Sequence, residues 1–546
     1  MSFFRNLLLK NKQKNLCVIH IMTPINSRVY VFNENKGIVK PNTDFKLKLT
    51  QGMHDILLVS TDDDTLCCHF NYEVVPERIE DRIIIDEKLY CNGIDYDKLA
   101  IEKPADEEIE NGVEDAYGVV YSSDGKQLLE CKNERLEKYV VKPNCKIIRP
   151  YAFNSYLNNL SEITMPDSLT HIGDNAFEGC RLLINIVFSK SLTYIGSRAF
   201  AACHSITKIT LPANLSYIGI EAFSFCISLT GIVLPNNLSQ IRDKVFYSCE
   251  SLAAINLPEK LTHIGDWAFL KCKELCSITF PKSITYIGRG AFYCCEGLTS
   301  IALPASVTYI GEGAFSGTNI RRIDSQTQYY TCNQGCLIDE RNKEEKILIN
   351  FLSDEQQVVV PQNIIRIGDN AFCGCKYITT INMPEGVTYI GHSAFNGCER
   401  LTSINLPDSI IHMGKAVFCN CNSLVTIKLP RRLTHIEEQT FLWCKKLTLV
   451  TLPENLTHIE ENAFTCCESL MTINIPESVL YIGNHAFNGC KHITEITLPQ
   501  GLSQIGKDIF DFCDSLTTIY IHKGTKEHFK NIFAEKLHNE LIELDY

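Results

Sequence analysis

Anchor residues spaced by 23 positions run through most of this sequence. A first series consists of Pro166, Ser189, Pro212, Pro235, Pro258, Pro281 and Pro304. A second series consists of Pro361, Pro384, Pro407, Pro430, Pro453, Pro476 and Pro499. Pro143 anchors a degenerate unit before the first series, and His522 takes the next anchor position after the second. A period of this length is typical of repeat proteins, in which each unit packs only against its neighbours.

Each unit carries the same residue types at fixed distances after its anchor. The eleventh residue is Phe in all fourteen full units, and the fourteenth is Cys in thirteen of them, with Thr318 as the exception. The third and sixth residues are aliphatic, as in Leu215 and Ile218, and the seventh is usually Gly. When units stack, every inward position becomes a continuous column. The pattern therefore predicts a β-rich repeat solenoid of about fifteen turns, which β-ladders would space about 4.8 Å apart.

The rest of the chain is organised around the two series of repeats. Two segments of similar pattern, 118–143 and 335–361, each predict a β-hairpin that leads into a run of repeats. The C-terminal residues place Phe529, Ile532, Phe533 and Leu537 on one side of a predicted capping helix. The predicted organisation is an N-terminal β-rich domain of β-sandwich type at 1–102, an acidic linker at 103–117, an N-terminal capping hairpin at 118–142, leucine-rich repeats at 143–326, a hairpin insertion at 327–360, further repeats at 361–521 and a C-terminal cap helix at 522–546.

Cysteine is abundant, and its placement favours packing over chemistry. Half of the 26 cysteines occupy the single column at the fourteenth position. A small apolar side chain suits a column beside Phe, so we expect free, buried thiols. Pairs such as Cys332/Cys336 lack a second pair at the spacing that zinc sites prefer. No local motif brings a nucleophile, a base and an orienting carboxylate together, so we expect neither an enzyme, a cofactor nor a metal.

The charge and the N-terminal sequence limit the location and the partners. The net charge is −12, which argues against a main role in binding nucleic acid or an anionic membrane. The first residues offer only Leu7 to Leu9 as an apolar run, which is too short for a signal peptide. No segment approaches the length of a membrane span. We therefore expect a cytoplasmic protein with reduced thiols.

The repeat pattern resembles a known family. Units such as LTSINLPDSIIHMGKAVFCNCNS are similar to the leucine-rich repeat variant of the BspA-like surface proteins, and the resemblance covers residues 118–540. The unit departs from the common leucine-rich consensus at its asparagine position, so an asparagine ladder is not expected. The order of β-type segments across positions 1–75 is similar to PEGA-type modules. For many relatives, the BspA resemblance implies an adhesin at the cell surface.

One polar column stands out among the apolar ones. The fifth residue after each anchor is restricted to Tyr, His, Gln and Arg, and the column continues past Gln240 and Gln504. Its predicted partner-binding residues are Tyr194, Tyr217, His263, Tyr286, Tyr309, Arg366, Tyr389, His412, His435, His458 and Tyr481. Three interpretations remain open: a structural ladder of stacked rings, a recognition surface for a protein, and metal binding by His412, His435 and His458, which stand in three successive units.

These observations lead to three hypotheses for the function. The first is a non-enzymatic scaffold or recognition protein that binds a protein partner along its extended surface. In a finer version, the chain is the sensing subunit of a bacterial multi-protein system such as a defence operon. The second is a surface adhesin of the BspA type, and the third is an enzyme whose site lies in the N-terminal domain or the insertion. The sequence does not predict the oligomeric state.

Overall fold

The computed structural model describes residues 16–22, 27–31, 34–39, 45–50, 52–60, 67–74, 80–84, 96–153, 159–532 and 540–544. The chain forms two compact units, residues 1–103 and 104–546.

The first unit is built from strands. They form a three-stranded sheet in the order β4-β1-β7 and a four-stranded antiparallel sheet in the order β3-β2-β5-β6. The β-sandwich arrangement of these sheets and their likeness to a PEGA-type module stay predictions. The elements are β1 (Leu16–Met22), β2 (Ser27–Val31), β3 (Glu34–Val39), β4 (Phe45–Thr50), β5 (Gly52–Ser60), β6 (Cys67–Val74), β7 (Glu80–Ile84) and α1 (Tyr96–Ile101).

The second unit is a β-solenoid of about 18 turns, so the predicted solenoid is confirmed. It exceeds the predicted fifteen turns. Most turns contribute two short strands, and most of these strands pair in parallel with their copy in the next turn. We call the strand before the anchor the first strand and the strand after it the second strand.

The first strands are short. Where none is named, single bridges join Ala254 to Ser277 and Leu449 to Thr472. They are β11 (Lys138–Val140), β13 (Glu162–Thr164), β15 (Asn185–Val187), β17 (Lys208–Thr210), β19 (Gly231–Val233), β21 (Ala254–Asn256), β24 (Ser300–Leu303), β26 (Arg322–Ser325), β30 (Gln357–Val359), β32 (Thr380–Asn382), β34 (Ser403–Asn405), β36 (Thr426–Lys428), β38 (Leu449–Thr451), β41 (Glu495–Thr497) and β43 (Thr518–His522).

The second strands are shorter still, most of them a single pair of residues. They are β12 (Ile147–Ile148), β14 (His171–Ile172), β16 (Tyr194–Ile195), β18 (Tyr217–Ile218), β20 (Gln240–Ile241), β22 (His263–Ile264), β23 (Tyr286–Ile287), β25 (Tyr309–Ile310), β31 (Ile364–Ile367), β33 (Tyr389–Ile390), β35 (His412–Met413), β37 (His435–Ile436), β39 (His458–Ile459), β40 (Tyr481–Ile482) and β42 (Gln504–Ile505).

Phenylalanine and cysteine line the inside of the stack. Consecutive phenylalanines of the eleventh position lie face to face, with ring centroids 5.1 Å apart for Phe177 and Phe200. Each column cysteine donates its thiol hydrogen to the backbone of the preceding turn, as Cys203 Sγ does to the Phe177 carbonyl at 3.2 Å. Thr318, where the column breaks, donates instead to the Phe315 carbonyl of its own turn at 2.7 Å. Cysteine therefore provides both the small apolar filler that was predicted and a bond between turns that was not.

The two ends of the solenoid differ. Before the repeats, α2 (Asp106–Glu110) precedes an antiparallel run of β8 (Val113–Glu114), β9 (Val119–Tyr121) and β10 (Gln127–Cys131), and this run extends the sheet of second strands. At the other end, the helix α3 covers Lys526–Ile532. The strand β44 (Leu541–Leu544) then pairs in parallel with β43, so the end of the predicted helical segment is a strand instead. Residues 533–539 of the predicted helix lie outside the described residues.

The insertion repeats the pattern of the N-terminal cap. Its strands β27 (Tyr330–Asn333), β28 (Cys336–Asp339) and β29 (Lys346–Phe351) are antiparallel, and β29 then pairs in parallel with β31. The strands β28 and β29 separate two hydrophobic cores. Leu337 and Ile349 belong to the core of the first run, whereas Ile338 and Leu348 belong to that of the second.

A buried asparagine connects the insertion to the turn before it. The Asn350 side chain is fully buried; its Oδ1 accepts from the Phe315 amide at 3.2 Å, and its Nδ2 donates to Ser316 Oγ at 2.6 Å. Ser316 Oγ in turn donates to the Asn370 carbonyl at 2.6 Å. In an ordinary unit, the Phe amide donates to the alanine carbonyl of the next turn, as Phe292 does to Ala314 at 2.8 Å. Asn350 therefore supplies an acceptor at the place where the regular ladder is interrupted.

Replacing Asn350 by Leu should destabilise the protein by roughly 1–3 kcal/mol, because the buried Phe315 amide would lose its acceptor. The shift of the denaturation midpoint in urea measures the effect. Asn342→Ala is the matched control, since Asn342 is exposed at the turn of the same insertion and should have little effect. Equal midpoints for the two variants would contradict the assigned role of Asn350.

The corners of each turn require left-handed backbone at two positions, the ninth and the thirteenth. Many residues there are not glycine, among them Ala416 with φ 54° and Phe512 with φ 57°. Gly397 occupies the thirteenth position with φ 72°, and an added Cβ would find only ordinary contacts to Gly374. The two residues thus offer a pair of opposite substitutions.

Gly397→Ala should cost about 1–2 kcal/mol, because an L-residue in left-handed backbone is strained even where there is space. Ala416→Gly should be neutral or stabilising by less than about 1 kcal/mol, since relief of strain offsets the entropy that glycine loses on folding. Thermal unfolding of both variants measures the difference. A midpoint of Gly397→Ala at or above that of the unmodified protein would be inconsistent with this account.

Candidate functional site

The fifth residue of each unit lies in a second strand, which it begins in every unit except that of Arg366, and it points away from the core. Successive residues of a strand face opposite sides. In Tyr286–Ile287 the isoleucine is fully buried, whereas the tyrosine is partly exposed. We call this column the ribbon: His171, Tyr194, Tyr217, Gln240, His263, Tyr286, Tyr309, Arg366, Tyr389, His412, His435, His458, Tyr481 and Gln504. The structure brings all of its predicted residues into one line that the insertion interrupts between Tyr309 and Arg366.

Neighbouring rings of the ribbon stack on each other. The ring centroids of Tyr194 and Tyr217 are 4.5 Å apart with an interplanar angle of 3°, and those of Tyr286 and Tyr309 are 4.6 Å apart at 6°. His435 and His458 are 4.4 Å apart at 12°. Stacking leaves the rims of the rings, with their polar atoms, as the part that faces outward.

Arginine side chains cover ring faces where the stack is broken. The Arg242 guanidinium lies 4.5 Å from the ring centroid of Tyr217, next to the break at Gln240. At the insertion, Arg341 lies 4.7 Å from the ring of Tyr309, and two nitrogens of Arg341 bind the carboxylate of Asp339. Such contacts are favourable because a cation is attracted to the ring face.

On the other side of the insertion, Arg366 takes the ribbon position itself. Its guanidinium lies 4.4 Å from the ring of Tyr389 and forms an ion pair of 2.8 Å with Glu312. The sequence placed Arg366 in the column but did not predict the roles of Arg242 and Arg341. Since the sequence shows no periodic relation between Arg341 and Tyr309, no signal in the repeat would have identified that contact.

A ladder of hydroxyl groups holds the ribbon from one side. The residue before each ring is usually Thr or Ser, and its hydroxyl donates to a carbonyl of the preceding turn, as Thr285 does to Thr262 at 3.1 Å. Where the ring is histidine, the same hydroxyl also lies next to Nδ1, at 2.7 Å in the pair Thr262 and His263. Burial lowers the pKa of His263, so the ring is neutral at neutral pH and can both donate and accept a hydrogen bond. The ring orientations are therefore fixed before any partner arrives.

The seventh residue of each unit lies two positions after the ribbon residue and is usually glycine. These glycines form a column beside the ribbon. An added Cβ would come too close to the backbone of the preceding turn, for example to His392 N at 2.7 Å for Gly414 and to Glu461 N at 2.5 Å for Gly483. Three units nevertheless carry a long charged residue at this position: Arg242, Glu437 and Glu460.

The outer face of the first strands carries mostly uncharged residues. Many of the residues two before an anchor are exposed and small, as in Thr210, Asn256 and Asn405, whereas Lys428 at the same position is charged. Val140 and Val233 extend this surface with 72% and 57% exposure. It offers contact area without a charge pattern that would select a ligand.

The described residues contain no group of three or more His, Cys, Asp and Glu side chains positioned to hold a metal ion. The described cysteines are free thiols, and burial raises the pKa of Cys226 to about 12. No described helix has the length and apolar character needed to cross a membrane.

The repeat geometry and the columns define a leucine-rich repeat solenoid. The family model described as "BspA type Leucine rich repeat region" matches residues 130–253, 218–343, 351–470 and 414–540. The chain therefore belongs to the BspA-type leucine-rich repeat family. A comparison with curated proteins finds no match.

Solved structures of bacterial leucine-rich repeat proteins are similar to this chain. A leucine rich cell surface protein from Faecalibacterium prausnitzii is 24% identical, with a TM-score of 0.46, over 79% of this chain and 98% of that one. A leucine-rich repeat protein from Bacteroides ovatus is 25% identical, with a TM-score of 0.38, over 79% and 97%. The pneumococcal vaccine antigen PcpA is 18% identical, with a TM-score of 0.32, over 80% and 98%.

Alkylation by iodoacetamide should separate the cysteines by burial. Cys276 and Cys332 are exposed and should react in the native protein, whereas column cysteines such as Cys226 should react only after unfolding, because the buried thiol is protonated and inaccessible. Peptide mapping by mass spectrometry measures the extent at each residue. Native modification of Cys226 as fast as that of Cys276 would contradict the packing described above.

Proposed function

We propose that this chain is a non-enzymatic recognition protein and that its ribbon binds a protein partner. The supporting observation is the fixed column of ring rims along the second strands. Ring orientations set by stacking and by the threonine ladder cost little further entropy on binding. Tyrosine rims combine apolar area with a hydroxyl group, which is why tyrosine is frequent at the energetic centres of protein interfaces.

The stacking also favours a protein over other kinds of partner. Single-stranded nucleic acid binds aromatic side chains through stacking on open ring faces. In the ribbon, most ring faces lie against a neighbouring ring, and arginine covers three further faces, one beside Gln240 and one on each side of the insertion. The net charge of −12 favours the same choice. A partner that offers hydrogen-bonding groups and small apolar contacts fits the rims best.

A cytoplasmic location is part of the proposal. The thiols of the described cysteine column are free and donate hydrogen bonds between turns, for example Cys272 to the Phe246 carbonyl at 3.2 Å. A reducing compartment would keep this arrangement intact.

Site-specific photo-crosslinking in the native host tests the partner surface. Benzoylphenylalanine at Tyr286 or Tyr389 should give discrete crosslinked species, whereas the same group at Phe512, which is 70% exposed on a corner of the turn, should not. Tyr286→Phe combined with Tyr389→Phe should reduce capture of the crosslinked partner roughly tenfold, since only the rim hydroxyls are lost and the stack remains. Crosslinks from Phe512 alone, or unchanged capture by the Phe variant, would count against recognition by the ribbon.

A further inference from the structure

The three charged residues in the glycine column have no ion pair among the described residues of the chain. Arg242 lies over the ring of Tyr217, and Glu437 and Glu460 have no salt bridge within the part of the chain that the structure describes. Glu437 and Glu460 occupy the same position of adjacent turns, so two like charges lie beside each other. Partial burial, followed by the proximity of Glu437, raises the pKa of Glu460. A cation from another molecule would relieve this repulsion.

The placement of these charges is symmetric about the insertion. Arg242 lies three units before Gly311, the last glycine of the column in the first run. Glu437 lies three units after Gly368, the first glycine of the column in the second run. The two residues are therefore equally far from the insertion, on the same face of the solenoid and with opposite sign.

The ribbon is partly symmetric about the insertion in its composition, with three matched pairs among seven. Tyr309 and Arg366 flank the insertion, and each counts as the first unit of its run when the units are numbered outward from the insertion. The ribbon residues of the two runs are of the same type at the second, third and sixth units. These units pair Tyr286 with Tyr389, His263 with His412 and Tyr194 with Tyr481. Burial lowers the pKa of both His263 and His412, so these rings would meet uncharged. A neutral imidazole and a phenol can each donate and accept a hydrogen bond. A histidine or tyrosine of one copy can therefore form a hydrogen bond with the same residue type of the other copy across a two-fold axis.

We propose that the ribbon face binds a second copy of this chain, antiparallel, with the two-fold axis at the insertion and Arg242 of each copy paired with Glu437 and Glu460 of the other. The inference rests on the proposed function, because it takes the ribbon as the contact surface and names its partner. A two-fold interface requires a surface that is complementary to itself when reversed, and the opposite charges of the glycine column and the three matched pairs of the ribbon meet this requirement.

The neighbouring charges and the available area are compatible with this arrangement. The eighth position of the unit would bring Asp266 opposite Lys415, which is favourable, and Glu312 opposite Asp369, two acids that are each paired with an arginine of their own chain. It would also bring Asp243 opposite Glu438, which is unfavourable. Lys415 forms an ion pair of 3.1 Å with Glu438 and so reduces this unfavourable effect. Fourteen units at about 4.8 Å make the ribbon roughly 65 Å long, and a strip roughly 12 Å wide along it offers about 800 Å² per copy, the size of a standard interface.

Light scattering coupled to size-exclusion chromatography tests the proposal on the full chain. The unmodified protein should show twice the monomer mass of 61.8 kDa at micromolar concentration. Arg242→Glu, and separately Glu437→Lys combined with Glu460→Lys, should each weaken the dimer by roughly a hundredfold and give the monomer mass. Lys271→Glu is the matched control: it makes the same charge change as Arg242→Glu at a corner of the turn and should remain a dimer. Circular dichroism checks that all variants are folded.

Mixing the two monomeric variants provides the decisive measurement. In the antiparallel arrangement, a mixed pair has one swapped and one original charge contact, both attractive, so an equimolar mixture of Arg242→Glu with Glu437→Lys/Glu460→Lys should form the dimer again. A mixture that stays monomeric would overturn the two-fold arrangement, and a monomeric unmodified protein up to about 100 µM would overturn self-association. Crosslinks from Tyr286 to a different protein would in that case still support the proposed function.

Discussion

Parallel, in-register stacking of turns is the constraint on which the whole structure depends. Each side chain lies beside its own counterpart in the next turn, so a column is stable only if its residue type packs well against itself. Phenylalanine rings, cysteine thiols bonded to carbonyls and threonine hydroxyls bonded to carbonyls meet this requirement. Charged residues meet it when the sign alternates, as in Lys445, Glu468 and Lys491, where the central carboxylate binds both lysines. They also meet it when a carboxylate accepts a hydrogen bond from a backbone amide of the next turn, as Asp243 Oδ1 does from Asp266 N. The adjacent Glu437 and Glu460 show neither arrangement among the described residues.

The insertion shows what the stack requires when it is interrupted. A run of turns cannot simply begin, because the first turn would expose its core and its unpaired strand edges. The antiparallel strands β27 to β29 begin the second run in the same way that β8 to β10 begin the first. Their two faces close two separate cores, and Asn350 restores the hydrogen bond that the regular alanine carbonyl would have received. The interruption is therefore built as a second cap inside the chain.

Self-similarity explains which parts of the structure could be predicted. The core columns and the paired strands follow from a period that the sequence prints fourteen times, and the two hairpins follow from a pattern that it prints twice. The contacts of Arg341 with Tyr309, of Asn350 with Phe315 and of β44 with β43 join segments that occur once, so no periodic signal announces them. The corner backbone was missed for a different reason. Stacking imposes positive φ on whichever residue stands at the corner, even on Phe512, so the residue type no longer reports the conformation.

The contrast between two aromatic columns bears on whether the ribbon is merely structural. The inner column stacks rings much as the ribbon does, and it uses phenylalanine alone. Stacking by itself therefore needs no hydroxyl group and no imidazole nitrogen. The ribbon carries tyrosine and histidine at a position that is only partly exposed. There the polar atoms of the ring rim add little to packing, and they cost free energy unless they form hydrogen bonds with water or protein. Phenylalanine would also place an apolar rim against water, so solubility accounts for some polarity in this column. It does not account for the predominance of rigid, planar rings, since glutamine, which stands in the column only at Gln240 and Gln504, would satisfy solvent equally well. Rigid rings with polar rims, held at fixed spacing, are the combination that a recognition surface uses.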